Sequence, residues 1–282
     1  MAVTYEALKA LKGPVRAFSY DARDAMLYAL SIGVGVDPMD KRQLAFCYEK
    51  DLRTMPSMAT VICWDDTLLF GAGLDIVKIV HGEQRLRLRR PLPVAASLKS
   101  QVSVVEVYDK GAGRGCVILT RQEIEEVGKG PLATLDSVVF ARGDGGIGGP
   151  GGSPDALAPV PERAPDKVVS APTQPNQALY YRLNGDRNPL HCDPDVAKAA
   201  GFDQPILHGL CTWGHACQAV VRGLLDDAAE TVTGVAARFT APVFPGETIR
   251  TEMWQGEGGV HFRSFVEERD IKVLDYGLVS VA

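Results

Sequence analysis

Residues 142–167, RGDGGIGGPGGSPDALAPVPERAPDK, are dominated by Gly, Pro and Ala. Such a run carries neither the helical nor the strand period, and its prolines remove backbone donors, so it is expected to be a flexible, then semi-extended linker. It constrains the fold more than any other feature, because it divides the chain into two modules. The expected boundaries are an N-terminal unit over 1–145, a linker over 146–167 and a C-terminal unit over 168–282.

The two modules resemble each other. RRPLPVAASLKSQVSVVEV (89–107) and TAPVFPGETIRTEMWQGE (240–257) share a Pro, a second Pro shortly after it, a small residue and then alternating apolar positions. After a Gly-rich turn, each continues as CVILTRQEIE (116–125) or VHFRSFVEER (260–269), and each closes with LATLDSVVFAR (132–142) or KVLDYGLVSVA (272–282). Period-two alternation rich in Val, Ile, Thr and Phe predicts antiparallel meander strands, and their common order suggests duplication of one domain.

Before its meander the second module carries GLCTWGHACQAVVRGLL (209–225). Leu210, Trp213, Cys217, Val220, Val221 and Leu224 recur at helical spacing, and the small Gly214 and Ala216 would allow close packing on a sheet. One antiparallel sheet wrapped on one long helix is the simplest way to bury that stripe. The first module offers a shorter helix over 19–33, with Asp21 as N-cap, Asp24 three residues on and Gly33 as the stop. Between it and the meander, PSMATVICWDDTLLFGAGLDIVKIV shows no amphipathic helix of matching length. The expected class is α+β.

The chain has 282 residues, a formal net charge of -5 and a pI near 5.6, which disfavours nucleic acid and anionic membranes as partners. No apolar run approaches the ~20 residues that span a bilayer. MAVTYEALKALKGPV has no signal-peptide pattern and the final SVA is not a peroxisomal tripeptide, so the cytoplasm is expected. Six scattered cysteines without a CxxC pair read as reduced, buried thiols.

The densest chemistry lies in YRLNGDRNPLHCDP, residues 181–194. Asp193 and Pro194 fit an N-cap and first helical position for DPDVAKAAG, with Gly201 as terminator. Asp186, Asn188 and His191 are not explained that way. An acid, an amide and an imidazole within six positions of a rigid Asn-Pro turn can converge on one water, and a buried carboxyl and a histidine can exchange protons near neutrality.

This string resembles the hydratase 2 motif of the MaoC-like (R)-specific enoyl-CoA hydratases, as do PILHGL (205–210) and FTAPVFPGETI (239–249) at the matching distances. The layout in two halves is similar to the double hot-dog members of that family. The resemblance implies reversible hydration of trans-2-enoyl-CoA to (3R)-3-hydroxyacyl-CoA, with Asp186 and His191 as an acid/base pair and Asn188 helping to hold the water. Gly209, at a helix start, would offer its N–H to the thioester oxygen, as the physics of helix N-termini also suggests. His208 and Phe239 are candidate substrate contacts, and Arg182, Arg187, Lys198 and Arg238 are candidates for coenzyme A phosphates. The partner is an acyl-CoA thioester, and no cofactor or metal is needed. The first half lacks the motif, so it is expected to have lost catalysis and, without a long helix, to accommodate the acyl chain. The halves could pair sheet edge to sheet edge within the chain, and a homodimer of chains is a further expectation. Two alternatives use the same residues or fold: a dehydratase of (3R)-hydroxyacyl carrier-protein thioesters, and a non-catalytic acyl-thioester binding module. The intact trio argues against the second.

Rival patterns are weaker. His208, Cys211 and His215 share a helical face, but a rise of about 10.5 Å over seven residues keeps the two histidines from one ion. Cys192 has no separate base. GVGVD, GAGLD and GIGGPGG never complete a dinucleotide-binding turn between strand and helix. RLRLRR (85–90) reads as a solvated strand face, with phosphate contact as the lesser reading. His81, in HGE, is expected to pack or hydrogen-bond where the halves meet.

Overall fold

A computed structural model describes residues 3–282; Met1 and Ala2, the start of the stretch read for a targeting signal, lie outside the described residues. The alternating segments become strands: β1 (Arg16–Tyr20), β2 (Ile79–Leu88), β3 (Ala96–Asp109), β4 (Cys116–Glu126) and β5 (Gly130–Ala141), then β6 (Lys167–Pro172), β7 (Val232–Phe239), β8 (Thr248–Gly256), β9 (Gly259–Val266) and β10 (Ile271–Val281). They form one ten-stranded sheet in the order β1-β3-β4-β5-β2-β7-β10-β9-β8-β6. Read from its outer edge inward, each half follows the same course: first strand outermost, then third, fourth and fifth, with the second at the centre.

The halves join where β2 pairs antiparallel with β7, from Glu83 opposite Arg238 to Arg87 opposite Gly234. A Cβ on Gly234 would lie 2.9 Å from the Leu86 carbonyl oxygen, so the seam needs glycine there. Glu83 locks it: Arg238 donates through Nε and Nη2 at 2.9 and 2.7 Å, and Arg85 through Nη2 at 2.5 Å. Three of the four arginines of RLRLRR are thus occupied, Arg85 by Glu83, Arg87 by Asp136 and Arg90 by Glu126, while Leu86 and Leu88 are buried.

The helices are α1 (Tyr5–Lys9), α2 (Ala22–Ser31), α3 (Lys41–Cys47), α4 (Thr67–Phe70), α5 (Gln177–Tyr181), α6 (Pro194–Ala199) and α7 (Gly209–Leu224). The apolar stripe of α7 packs into the curve of the C-terminal half-sheet, and Trp213, Cys217, Val220 and Val221 are all buried. Removing a ring such as that of Trp213 costs about 3–5 kcal/mol in a packed core. Helix α2 starts as expected: the Asp21 carboxylate accepts from the N–H groups of Arg23 and Asp24, and the Asp24 carboxylate accepts from the Asp21 N–H. Gly214 does not face the sheet, as its size suggested. A Cβ there would meet Ile32 at 2.6 Å and the Tyr28 hydroxyl at 3.0 Å, so the close approach is to the end of α2.

Among the described residues, the N-terminal half has no counterpart of α7. Between Met55 and β2 the chain makes two short 3₁₀ turns (Pro56–Thr60 and Ile76–Lys78) and the four-residue α4. Behind this segment, against β2–β5, lies a cavity of about 300 Å³. No described helix is long and apolar enough to cross a membrane.

The Gly-rich segment has no helix or strand but is not a free tether over its first part. The Asp109 carboxylate accepts the N–H groups of Gly111, Gly146 and Gly148, Pro150 O accepts from Asp109 N–H, and Ile147 packs beside Leu8 and Val107. Backbone donors unobstructed by side chains can wrap one carboxylate, which is why glycine here gives a fixed path instead of flexibility.

Candidate active site

The chain enters the site through α5 and a 3₁₀ turn over Arg182–Asn184, then reverses at Gly185. Gly185 has φ 134°, and a Cβ would lie 2.7 Å from the Cβ of Trp64, so this turn is shaped by a residue of the other half. Two more bonds fix it to α2: Gln177 Nε2 donates to Ser31 O at 2.6 Å and Asn184 Nδ2 to Ser31 Oγ at 2.9 Å. The Asn-Pro turn follows. Asn188 N–H donates to the Asp186 carboxylate at 3.1 Å, and Asn188 Oδ1 accepts from Leu190 N–H at 3.0 Å. Asn188 Nδ2 has no partner among the described residues, and the residue lines the cavity. Asp193 and Pro194 cap α6 as expected.

His191 Nδ1 lies 2.9 Å from the Ile206 carbonyl oxygen. A carbonyl only accepts, so this nitrogen carries the proton and Nε2 presents its lone pair when the ring is neutral. Burial raises the Asp186 carboxyl above the ordinary carboxylate range and Asp66 adds to the rise, while the Asn188 N–H, His191 and Arg182 hold it back. Burial likewise lowers His191, partly offset by the Ile206 carbonyl and Asp186. Burial thus favours the uncharged form of both groups, and raises the Asp186 carboxyl in the direction that suits acid/base work near pH 7.

His208 is not placed as a substrate contact. It is 1% exposed, its Nε2 donates to the Asp186 carbonyl oxygen at 3.2 Å, and its ring stacks on His191 with centroids 3.8 Å apart. Burial, then His191, pushes it down to about 3, so it is a neutral support for the loop. A carboxylate oxygen of Asp186 and one nitrogen each of His191 and His208 fall within 4.8 Å of one another.

Gly209 begins α7, is solvent-accessible, and its N–H has no acceptor among the described residues. A Cβ there would stand 3.3 Å from the Phe239 ring, which in turn packs on His81 at 4.8 Å. Phe239 therefore walls the donor, and His81, bonded to Glu83 O at 3.1 Å, sits at the seam between halves. The arginines divide: Arg238 is committed to Glu83 and lies over Tyr276, Arg182 is half-buried beside Asp186, and Arg187 and Lys198 are exposed.

The cavity is lined by Asn188 and Leu210 from the C-terminal half and, in the N-terminal half, by Trp64, Leu69, Val102 and Val139 among others. None of these four was singled out in the sequence. Their strands were recognisable, but strand alternation does not say that one face borders empty space.

Residues 156–276 match the family model described as MaoC like domain, and residues 18–143 match that of the MFE-2 hydratase 2 N-terminal domain. An enoyl-CoA hydratase of Mycobacterium tuberculosis is 40% identical over 255 residues, 88% of each chain. The 3-hydroxyacyl-thioester dehydratase Y of the same organism is 40% identical over 99% of this chain and 98% of its own length. Enoyl-CoA hydratase 2, peroxisomal, of Arabidopsis thaliana is 38% identical over 95% of this chain and 92% of its own. Among solved structures, a MaoC-like dehydratase from Phytophthora capsici aligns with a TM-score of 0.87 and 34% identity, covering 98% of both chains. A Mycobacterium tuberculosis protein described as a double hotdog fold aligns with a TM-score of 0.60 and 17% identity over 95% of this chain and 96% of its own, a likeness of fold. With both halves matched and relatives near 40% identity along most of its length, the chain belongs to the MaoC-like (R)-specific 2-enoyl-CoA hydratases, or hydratase 2, in the two-domain double hot-dog form.

Proposed function

We infer that this chain adds water reversibly to trans-2-enoyl-CoA to give (3R)-3-hydroxyacyl-CoA, with the chemistry in the unit over 168–282 and the acyl chain held by the unit over 1–145. The observation that carries the reading is the close grouping of Asp186 and His191 on the loop whose Asn188 lines the cavity, with the unpaired Gly209 N–H next in the chain to His208 of the same group. The thioester oxygen accepts from Gly209 N–H as negative charge moves onto it, and the positive end of α7 favours that charge. Water is held by Asp186, His191 Nε2 and Asn188 Nδ2. As its oxygen bonds to C3, the Asp186–His191 pair takes one proton; the pair then delivers one proton to C2, so the enzyme ends as it began. We treat the two as a single coupled unit.

Arg182, Arg187 and Lys198 remain the candidates for coenzyme A phosphates, and Arg238, being paired with Glu83, is the weakest. The compartment we propose is the cytoplasm, where the six free cysteines stay reduced. A homodimer of chains is proposed on the habit of hot-dog sheets to pair.

The test follows the loss of ultraviolet absorbance of the conjugated enoyl thioester, with crotonyl-CoA and a medium-chain trans-2-enoyl-CoA, and determines product chirality. Wild type should give the 3R alcohol, and Asp186→Asn should lose about 10³-fold or more in kcat. An unchanged mutant, or no hydration of any chain length by wild type, would overturn the assignment. Comparing CoA with carrier-protein thioesters decides the handle.

A further inference from the structure

The inner face of β2, β4 and β5 is built in cross-strand rows. Ile124, Ala133 and Leu88 form one apolar row, while Thr120, Ser137 and Gln84 form a polar one, with Gln122 beside Leu135 and Leu86 in the row between. All four polar residues line the cavity. The C-terminal half also has a polar pair beneath its helix, but Thr251 and Ser264 bond each other at 3.0 Å and are 1% and 0% exposed. That pair is self-sufficient and sealed.

The row in the N-terminal half is neither. Gln122 Nε2 donates to Cys63 O at 2.6 Å and to Ser100 Oγ at 2.9 Å. Because a carbonyl only accepts, the amide orientation is fixed, and Oε1 takes no hydrogen bond among the described residues. Ser137 Oγ donates to Gln84 Oε1 at 2.8 Å, and Gln84 Nε2 lies 3.4 Å from Asp136 O with the His81 ring also within reach of the Gln84 side chain. An unused acceptor and a weakly held donor therefore border the part of the space walled by Val102, Leu135 and Val139, while Thr60, Asp65 and Asp66 line it elsewhere. A saturated chain would strip water from them without replacing its hydrogen bonds. A hydroxyl both donates and accepts, and suits the two together.

We propose that this polar row selects, among trans-2-enoyl thioesters, those whose acyl chain carries a hydroxyl group beyond the reacting carbons, with Gln122 and Gln84 as the specificity residues. The inference rests on the acyl chain occupying this cavity, as proposed above.

The test measures kcat/KM by the same absorbance for a twelve-carbon trans-2-enoyl-CoA and for its monohydroxy analogues, with the hydroxyl walked along the chain. At one position the analogue should exceed the plain chain by about tenfold, the worth of one well-placed hydrogen bond. Gln122→Met, near in shape but without the acceptor, should bring that ratio to within about twofold, each analogue being compared with the plain chain on the same variant. Gln84→Met gives the same readout should loss of the Cys63 and Ser100 bonds unfold the first variant. Hydration of the plain chain with no analogue preferred would overturn this inference and leave the hydratase reading standing. A preference that survives in both variants would overturn the roles of Gln122 and Gln84. Failure to hydrate any member would overturn both readings.

Discussion

His215 should make this protein lose stability on mild acidification. It lies on α7, is 1% exposed, and neither ring nitrogen has a hydrogen-bond partner among the described residues. Burial pushes it down to about 4, against about 6.5 for an imidazole in an unfolded chain. Because the folded value is the lower one, the unfolded state binds more protons below pH 6.5; stability falls as pH drops through that value and levels off below about 4. From pH 7 to 5.5 the loss from this one ring works out at about 1.2 kcal/mol. His208, lowered to about 3, contributes a similar amount, so the two together remove about 2.5 kcal/mol. The assay is urea unfolding at both pH values for wild type and His215→Leu. The variant removes one titrating ring, so its stability should fall by about 1.2 kcal/mol less than wild type over the same interval, whatever its stability at pH 7. Equal pH dependence in the two proteins would refute the reasoning, since it would mean that the imidazolium is accommodated inside the fold.

Other outcomes can be checked with the hydratase assay. Gly209→Pro deletes the proposed oxyanion donor at a helix position that tolerates proline, after a residue already at ψ 133°; kcat should fall about 10²–10³-fold with little change in unfolding midpoint. Val139→Phe should fill part of the cavity and cut kcat/KM for a medium-chain substrate at least about tenfold while leaving crotonyl-CoA nearly unaffected, because only the longer chain reaches that wall. The acid limb of the pH–kcat/KM profile should lie above about 4, where an ordinary carboxyl titrates, because burial raises Asp186. A limb at or below that value would show the site to be wetter than the structure implies.

The C-terminal half was legible because its signals are local. A helical stripe over 209–225, an N-cap at Asp193 and an acid, amide and imidazole within six positions are each set by near neighbours, and they appear in the fold where the pattern put them. The strands flanking the seam were less visible. RLRLRR alternates, but its arginines look solvated in sequence, and only the folded sheet brings Asp136 to Arg87, Glu126 to Arg90, and Arg238 across the seam to the Glu83 that also holds Arg85. Room in the first half was expected from its missing long helix, but the polar lining of the cavity was hidden for a related reason. Thr120, Gln122, Ser137 and Gln84 are polar, and binary patterning assigns polar strand positions to solvent. They face inward because the segment over 56–78 leaves a void where a long helix would have sealed the sheet, and a void is a property of distant segments. The Gly-rich run misled in the opposite direction, since only the fold brings its N–H groups to Asp109.

The pairing of β2 with β7 has a consequence beyond holding the halves together. Two identical subunits meeting across such a seam must repeat every substitution on both sides, so a change that opens room for substrate in one would also hollow the support of the catalytic helix in the other. Tethered in one polypeptide, the two sides accept changes independently. One keeps Trp213 and its helix packed into the curve of its half-sheet, while the other, with no helix of that length among the described residues, encloses a cavity. The asymmetry of a single covalent chain is what allows rigidity and capacity to reside on opposite sides of the same sheet.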